Sequence, residues 1–122
     1  MRNNNNITIN RDEGYAMIGE DGRDMATERF QRNFNFFNSS IRRLEAQRNF
    51  FNYPEAVRDH MFYTLHMCRR YRIHLECLPI RDMPIRVIEN YKEMTREWAV
   101  DVYLLASQLY YFRMDYEDGL PN

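Results

Sequence analysis

Residues 28–51, ERFQRNFNFFNSSIRRLEAQRNFF, contain neither glycine nor proline and repeat their apolar positions at helical spacing. Phe30, Phe34, Phe37, Ile41, Leu44, Arg48 and Phe51 follow one another at alternating steps of four and three. That is one face of a helix, coiled-coil-like, with a single polar position in it. Asp24 suits the N-cap and Glu28 complements the positive end of the first turn. The spacing predicts a helix over 24–52.

The same reasoning extends in both directions. Between Arg23 and Asp118 there is no glycine, and proline stands only at 54, 79 and 84, where a helical chain needs breaks. Asn52-Tyr53-Pro54-Glu55 reads as a helix start, with Asn capping, Pro in the first turn and Glu reaching back. A second helix over 54–78 then carries the seam Val57, Met61, Thr64, Cys68, Tyr71, Leu75 and Leu78. A third, over 83–116, presents Ile88, Tyr91, Thr95, Trp98, Val102, Leu105, Leu109 and Phe112, with Gly119 and Pro121 to stop it. Three helices of about 40 Å joined by short connections must alternate in direction. The expected fold is all-α, an antiparallel three-helix bundle over 24–122, one domain for a chain of 122 residues.

Residues 1–23 have a different composition, with the run Asn3 to Asn6 and three of the four glycines. They read as an N-terminal arm, extended or partly disordered, in which Ile7-Thr8-Ile9 and Tyr15-Ala16-Met17-Ile18 suit short extended segments.

The formal net charge of −1 argues against attachment to nucleic acid or anionic lipid by bulk charge. No cationic and apolar leader opens the chain, and no run approaches about 18 apolar residues, so no membrane partner is expected. Cys68 and Cys77 are nine residues apart on one helix, a rise of about 13 Å that no disulfide spans. Two free thiols fit a reducing, intracellular and cytoplasmic setting.

The basic residues are sixteen arginines and the single Lys92. Arginine offers a planar fork for carboxylates, phosphates and aromatic faces. Arg29, Arg32, Phe36, Arg43 and Phe50 fall on one stripe of the first helix away from its seam, and Phe-Phe-Asn recurs at 36–38 and 50–52, two heptads apart. Arginines interleaved with aromatics suit an acidic protein partner anchored by its aromatic contacts, or phosphates and stacked bases. Alternatively, Phe36 and Phe50 pack beneath the arm or another helix. Charge is segregated as well: five arginines stand against Glu45 over 29–48 and five against Asp59 and Glu76 over 58–81, whereas over 89–118 seven acids outnumber Lys92, Arg96 and Arg113. The ladder Glu89, Glu93, Glu97 and Asp101 is a solvated face in most proteins. Beside two basic helices it also permits self-association through complementary charge.

Metal chemistry has no support in the histidines. His60 and His74 share a face but lie about 21 Å apart along the axis, and His66 is about 12 Å from His74, beyond the reach of two ligands on one ion. No cofactor loop, Gly-x-Ser-x-Gly elbow or catalytic residue emerges. Arg69-Arg70-Tyr71-Arg72-Ile73-His74 resembles the Arg-x4-His motif of HEPN ribonucleases, small helical bundles that cut RNA as dimers. The resemblance implies a phosphate-steadying Arg69 and an acid/base His74 without metal. Arg70 stands where that family commonly has Asn, His or Asp.

The reading that follows is a non-enzymatic interaction or assembly protein, homo-oligomeric, similar in size and arrangement to viral and phage accessory or structural proteins. It would use Arg29, Arg32, Phe36, Arg43 and Phe50 against Glu89, Glu93, Glu97 and Asp101. Nucleic-acid binding through the arginine-rich faces is the alternative, and a HEPN-like ribonuclease the second.

Overall fold

The computed structural model describes residues 20–50 and 52–119. It is all-α: α1 spans Glu20–Glu45, α2 Glu55–Glu76 and α3 Ile85–Asp118, with a single 3-10 turn, Ile80–Asp82, between the last two. The expected arm lies outside the described residues up to position 19, and its last residues, 20–23, belong to α1.

The core follows most of the predicted seam, with additions; Phe112, expected on the α3 seam, is exposed, and Phe51 lies outside the described residues. Phe30, Phe37, Ile41 and Leu44 of α1, Met61, Cys68 and Leu75 of α2, and Ile88, Thr95, Val102 and Leu109 of α3 are all buried. Leu65, Ala99 and Ala106 join them, although their step along the helix places them beside the seam that was read.

Contacts along the chain fix the directions. Phe37 meets Trp98, Arg43 stacks on Tyr103 and Phe50 meets Tyr116, so position rises together on α1 and α3. Glu45 pairs with Arg69 whereas Phe37 meets Tyr71, so α2 runs the other way. The bundle is up-down-up, with α1 and α3 parallel. These two also approach most closely. Small residues are buried on both helices, Ala26 and Ser40 on α1 and Ala99 and Ala106 on α3, which suits a close approach of their backbones.

Both ends of α1 differ from the sequence expectation, and tertiary contacts explain why. The helix begins before Asp24, carrying Gly22 within it despite glycine's helix cost of about 1 kcal/mol. One turn in, Arg23 donates from Nη1 to the carbonyls of Ile80 (3.1 Å) and Met83 (2.7 Å), clamping α1 to the connection that launches α3. At the other end α1 stops at Glu45, and residues 46–49 continue as turns with i to i+3 bonds such as Gln47 N–H to Leu44 O. There Phe50 turns inward onto Tyr53 and Tyr116, which a continued helix would forbid. Arg48, assigned to the seam, is consequently exposed. Pro54 itself occupies the N-cap of α2 and no side chain caps it, so Asn52 does not serve as the cap.

Among the described residues no helix is long and apolar enough to cross a membrane. Both cysteines are free, Cys68 buried and Cys77 exposed.

Candidate functional site

Among the described residues, three surfaces present side chains to solvent in distinctive groupings. The first is the crest of α3. Its core stripe points inward through Ile88, Thr95, Ala99, Val102, Ala106 and Leu109. The opposite stripe steps by four and three through Asn90, Glu93, Glu97, Asp101, Leu104, Gln108, Tyr111 and Asp115, and every one of these is exposed. Leu104 at 52% and Tyr111 at 66% are the two large apolar side chains on it.

The second surface is the cleft between α1 and α2, on the side of the bundle away from α3. Asn38, Arg42, Arg72, Ile73 and Glu76 line a space of about 350 Å³ there. Arg69 stands one turn before Ile73 on α2 and bonds Glu45 of α1 through Nη2 at 2.6 Å. Phe62, eleven residues before Ile73, lies on the same helical face, and both are largely exposed.

The third is an apolar groove of about 340 Å³ where the start of α2 meets the second half of α3, lined by Tyr53, Val57, His60, Leu105, Leu109 and Phe112 among others. Tyr53 holds its floor. Its hydroxyl lies 2.8 Å from the Leu109 carbonyl and 3.2 Å from the Gln47 side-chain amide. One O–H donates once, so with Leu109 as its acceptor the amide of Gln47 serves best as donor to the Tyr53 oxygen.

The outer stripe of α1 is corrected at its aromatic positions. Arg29 and Arg32 are exposed, with Arg32 paired to Glu28. Phe36, in contrast, is half-buried with its ring 6.1 Å from that of Tyr103, and Arg43 lies 5.0 Å over the same Tyr103 ring. Phe50 is beyond the end of α1, its ring 4.8 Å from Tyr53 and 5.4 Å from the Arg113 guanidinium. The two Phe-Phe-Asn copies therefore do not share an orientation. Both aromatics serve the junction with α3 because parallel packing turns that flank of α1 toward it.

The acidic ladder also divides. Glu89 is half-buried on the flank, bound to Lys92 Nζ at 2.7 Å, while Glu93 touches the same ammonium at 3.2 Å with its side chain still 61% exposed. This pairing, Glu89 foremost, raises the Lys92 pKa above its ordinary value. Glu97 and Asp101 are exposed on the crest. Asn33 of α1 donates to the Lys92 carbonyl at 3.0 Å, so part of the basic stripe of α1 borders the acidic flank of α3 within one molecule.

Arg69 and His74 diverge. Arg69 reaches to α1, whereas His74 stacks on Tyr71 and lies 3.1 Å by Nε2 from the Tyr91 hydroxyl of α3. Five residues along a helix separate them by about 140° of rotation. Burial pushes the Cys68 thiol up to about 11, against the opposing pull of Arg69 and Arg72, which leaves it protonated and unreactive at neutral pH. Among the described residues no group of three or more His, Cys, Asp or Glu could hold a metal ion.

The crest, the cleft and the groove were only partly visible beforehand. Glu93, Glu97 and Asp101 were named from their spacing; Leu104 and Tyr111 continue the same steps of three and four and could have been found by extending them. The pairing of Arg42 with Arg72 depends on how α1 and α2 meet. Comparison of the chain with protein-family models, with curated proteins and with solved structures gives no match.

Proposed function

We propose that the protein is a non-enzymatic interaction module that assembles by docking its outer helix faces on a protein partner, another copy of itself first among them. The observation that supports this reading is the α3 crest. Solvation explains its carboxylates, but it does not explain Leu104 and Tyr111 standing exposed on the same stripe. An apolar anchor within a charged rim is the pattern of protein interfaces, where the anchor supplies affinity and the charges supply orientation. Among the described residues eleven large apolar side chains are exposed, including Phe62, Ile73 and Met94 on other faces.

Light scattering over a concentration series at low salt tests this. The expected result is a mass that rises with concentration and falls when Glu93 and Glu97 are both changed to Lys. A monomer at every concentration and salt level overturns the self-association.

A second reading rests on the α1/α2 cleft, where Arg42 and Arg72 line one polar space. Paired guanidinium groups are suited to a phosphate backbone. Single-stranded oligonucleotide binding that weakens steeply with salt, and with Arg42→Ala and Arg72→Ala, is its expected signature. Absence of any binding at low salt rejects it.

A further inference from the structure

Resting on that reading, we infer that the occupant of the charged faces is a second copy of this chain, joined head to tail, with the α3 crest of one molecule seated on the α1/α2 face of the next. The two faces lie on opposite sides of the bundle. The core stripe of α3 faces α1 and α2, so its crest points away from both, while the cleft holding Asn38 and Arg42 opens on the flank of α1 opposite Phe36, which meets α3.

Their chemistry is complementary. The crest carries Glu93, Glu97, Asp101 and Asp115 with no cation on its stripe, Glu93 being reached by Lys92 from the flank. Across the bundle, Arg42 and Arg72 line the cleft with Glu76 as the only acid among its lining residues, and the Arg69–Glu45 pair borders it. Each face also has apolar anchors, Leu104 and Tyr111 on the crest, Phe62 and Ile73 beside the arginines.

Symmetry then selects the mode. A twofold dimer apposes one patch with its own copy. On the crest that sets carboxylate against carboxylate, and on the cleft side arginine against arginine, and both arrangements repel. Only a heterologous contact brings crest to cleft, and such a contact leaves each end of a pair with an unsatisfied face. Growth continues until the rotation closes a ring, or proceeds as a filament.

Two variants of the full chain test the mode. One carries Glu93→Gln, Glu97→Gln and Leu104→Ser on the crest; the other carries Arg42→Gln, Arg72→Gln and Ile73→Ser on the cleft side. Five of these positions are exposed and Arg72 is half-buried, and unchanged helical circular dichroism checks that each variant folds. In sedimentation velocity the wild type is expected to form species larger than a dimer as concentration rises, and each variant alone to be monomeric. Mixed in equal amounts, they are expected to give a 1:1 dimer and nothing larger, because one intact crest meets one intact cleft. A wild type that stops at a dimer, or a mixture that stays monomeric, overturns the head-to-tail mode while leaving self-association standing. A wild type that never associates overturns both.

Discussion

The Tyr53 hydroxyl donates a 2.8 Å hydrogen bond to the carbonyl of Leu109, fastening the α1–α2 connection to the body of α3. The residue is buried at 3% exposure, and burial raises its phenolic pKa despite the opposing charge of Arg113. Around it Phe50 packs edge-on at 4.8 Å and Phe112 lies at 5.6 Å, so one hydroxyl anchors an aromatic cluster at the end of the bundle. Tyr53→Phe keeps the ring and removes the bond. It is expected to cost about 1–2 kcal/mol in urea unfolding, since the Gln47 amide is also left without its buried partner. An unchanged midpoint shows that water replaces the bond without loss.

The α1–α3 contact depends on residues that are small as much as on those that are apolar. Ala99 and Ala106 are buried at 0% and 2% exposure, on the stripe of α3 that faces α1. Ala99→Leu is expected to destabilise by about 1–3 kcal/mol, because a close-packed interface has no room for the added carbons. Thermal unfolding compared with Leu104→Ala, which alters only the crest, separates packing from helix propensity. Equal stability of the two variants contradicts the close approach.

These two regions show what could be read in advance. Phe30, Phe37, Ile41, Met61, Val102 and Leu109 are buried as their spacing indicates, because a seam of large apolar residues is a local signal. The end of α1 at Glu45 is not local: no glycine or proline marks it, and it follows from Phe50 finding Tyr53 and Tyr116. Phe36 was legible as lying off the α1 seam but not as half-buried against α3, since periodicity gives a residue's direction around its own helix and not which neighbour fills that direction. Arg23, read as the end of the arm, became a clamp because its acceptors, the carbonyls of Ile80 and Met83, are brought to it only by the fold. The crest was half legible, through its carboxylates.

Alkali should unfold the protein before its other charges explain the loss. Burial raises the Cys68 thiol from an ordinary 9.0 to about 11 and raises Tyr71 above 10.0, and Glu89 raises Lys92 above 10.5. Each group keeps its proton in the folded chain at a pH where the unfolded chain has released it. The folded state then binds more protons, and stability falls as pH rises. The contribution is full below the unfolded values and is lost through the folded ones, so the decline is expected to begin near pH 9 and steepen toward 11. Melting temperature measured across that range checks it, and Cys68→Ala should make the early part of the decline shallower. A flat profile to pH 11 contradicts the burial of Cys68 and Tyr71 and the pairing of Lys92 with Glu89.

Leu104 and Tyr111 separate association from folding. Both lie on the crest at more than half exposure, and neither belongs to the core. Changing both to Ser is expected to shift stability by no more than about 0.5 kcal/mol per site, the ordinary range for surface positions away from caps and networks. The same double change is expected to weaken self-association at least tenfold, because an interface loses most when its central apolar anchors are removed and its rim is left intact. Raising salt should weaken the wild type too, through the crest carboxylates, and should remove whatever remains in the double variant, where those exposed charges are all that still attract. Sedimentation equilibrium and thermal melts on the same samples provide both readings. A variant that melts early and still associates would place Leu104 and Tyr111 in the fold rather than in the interface.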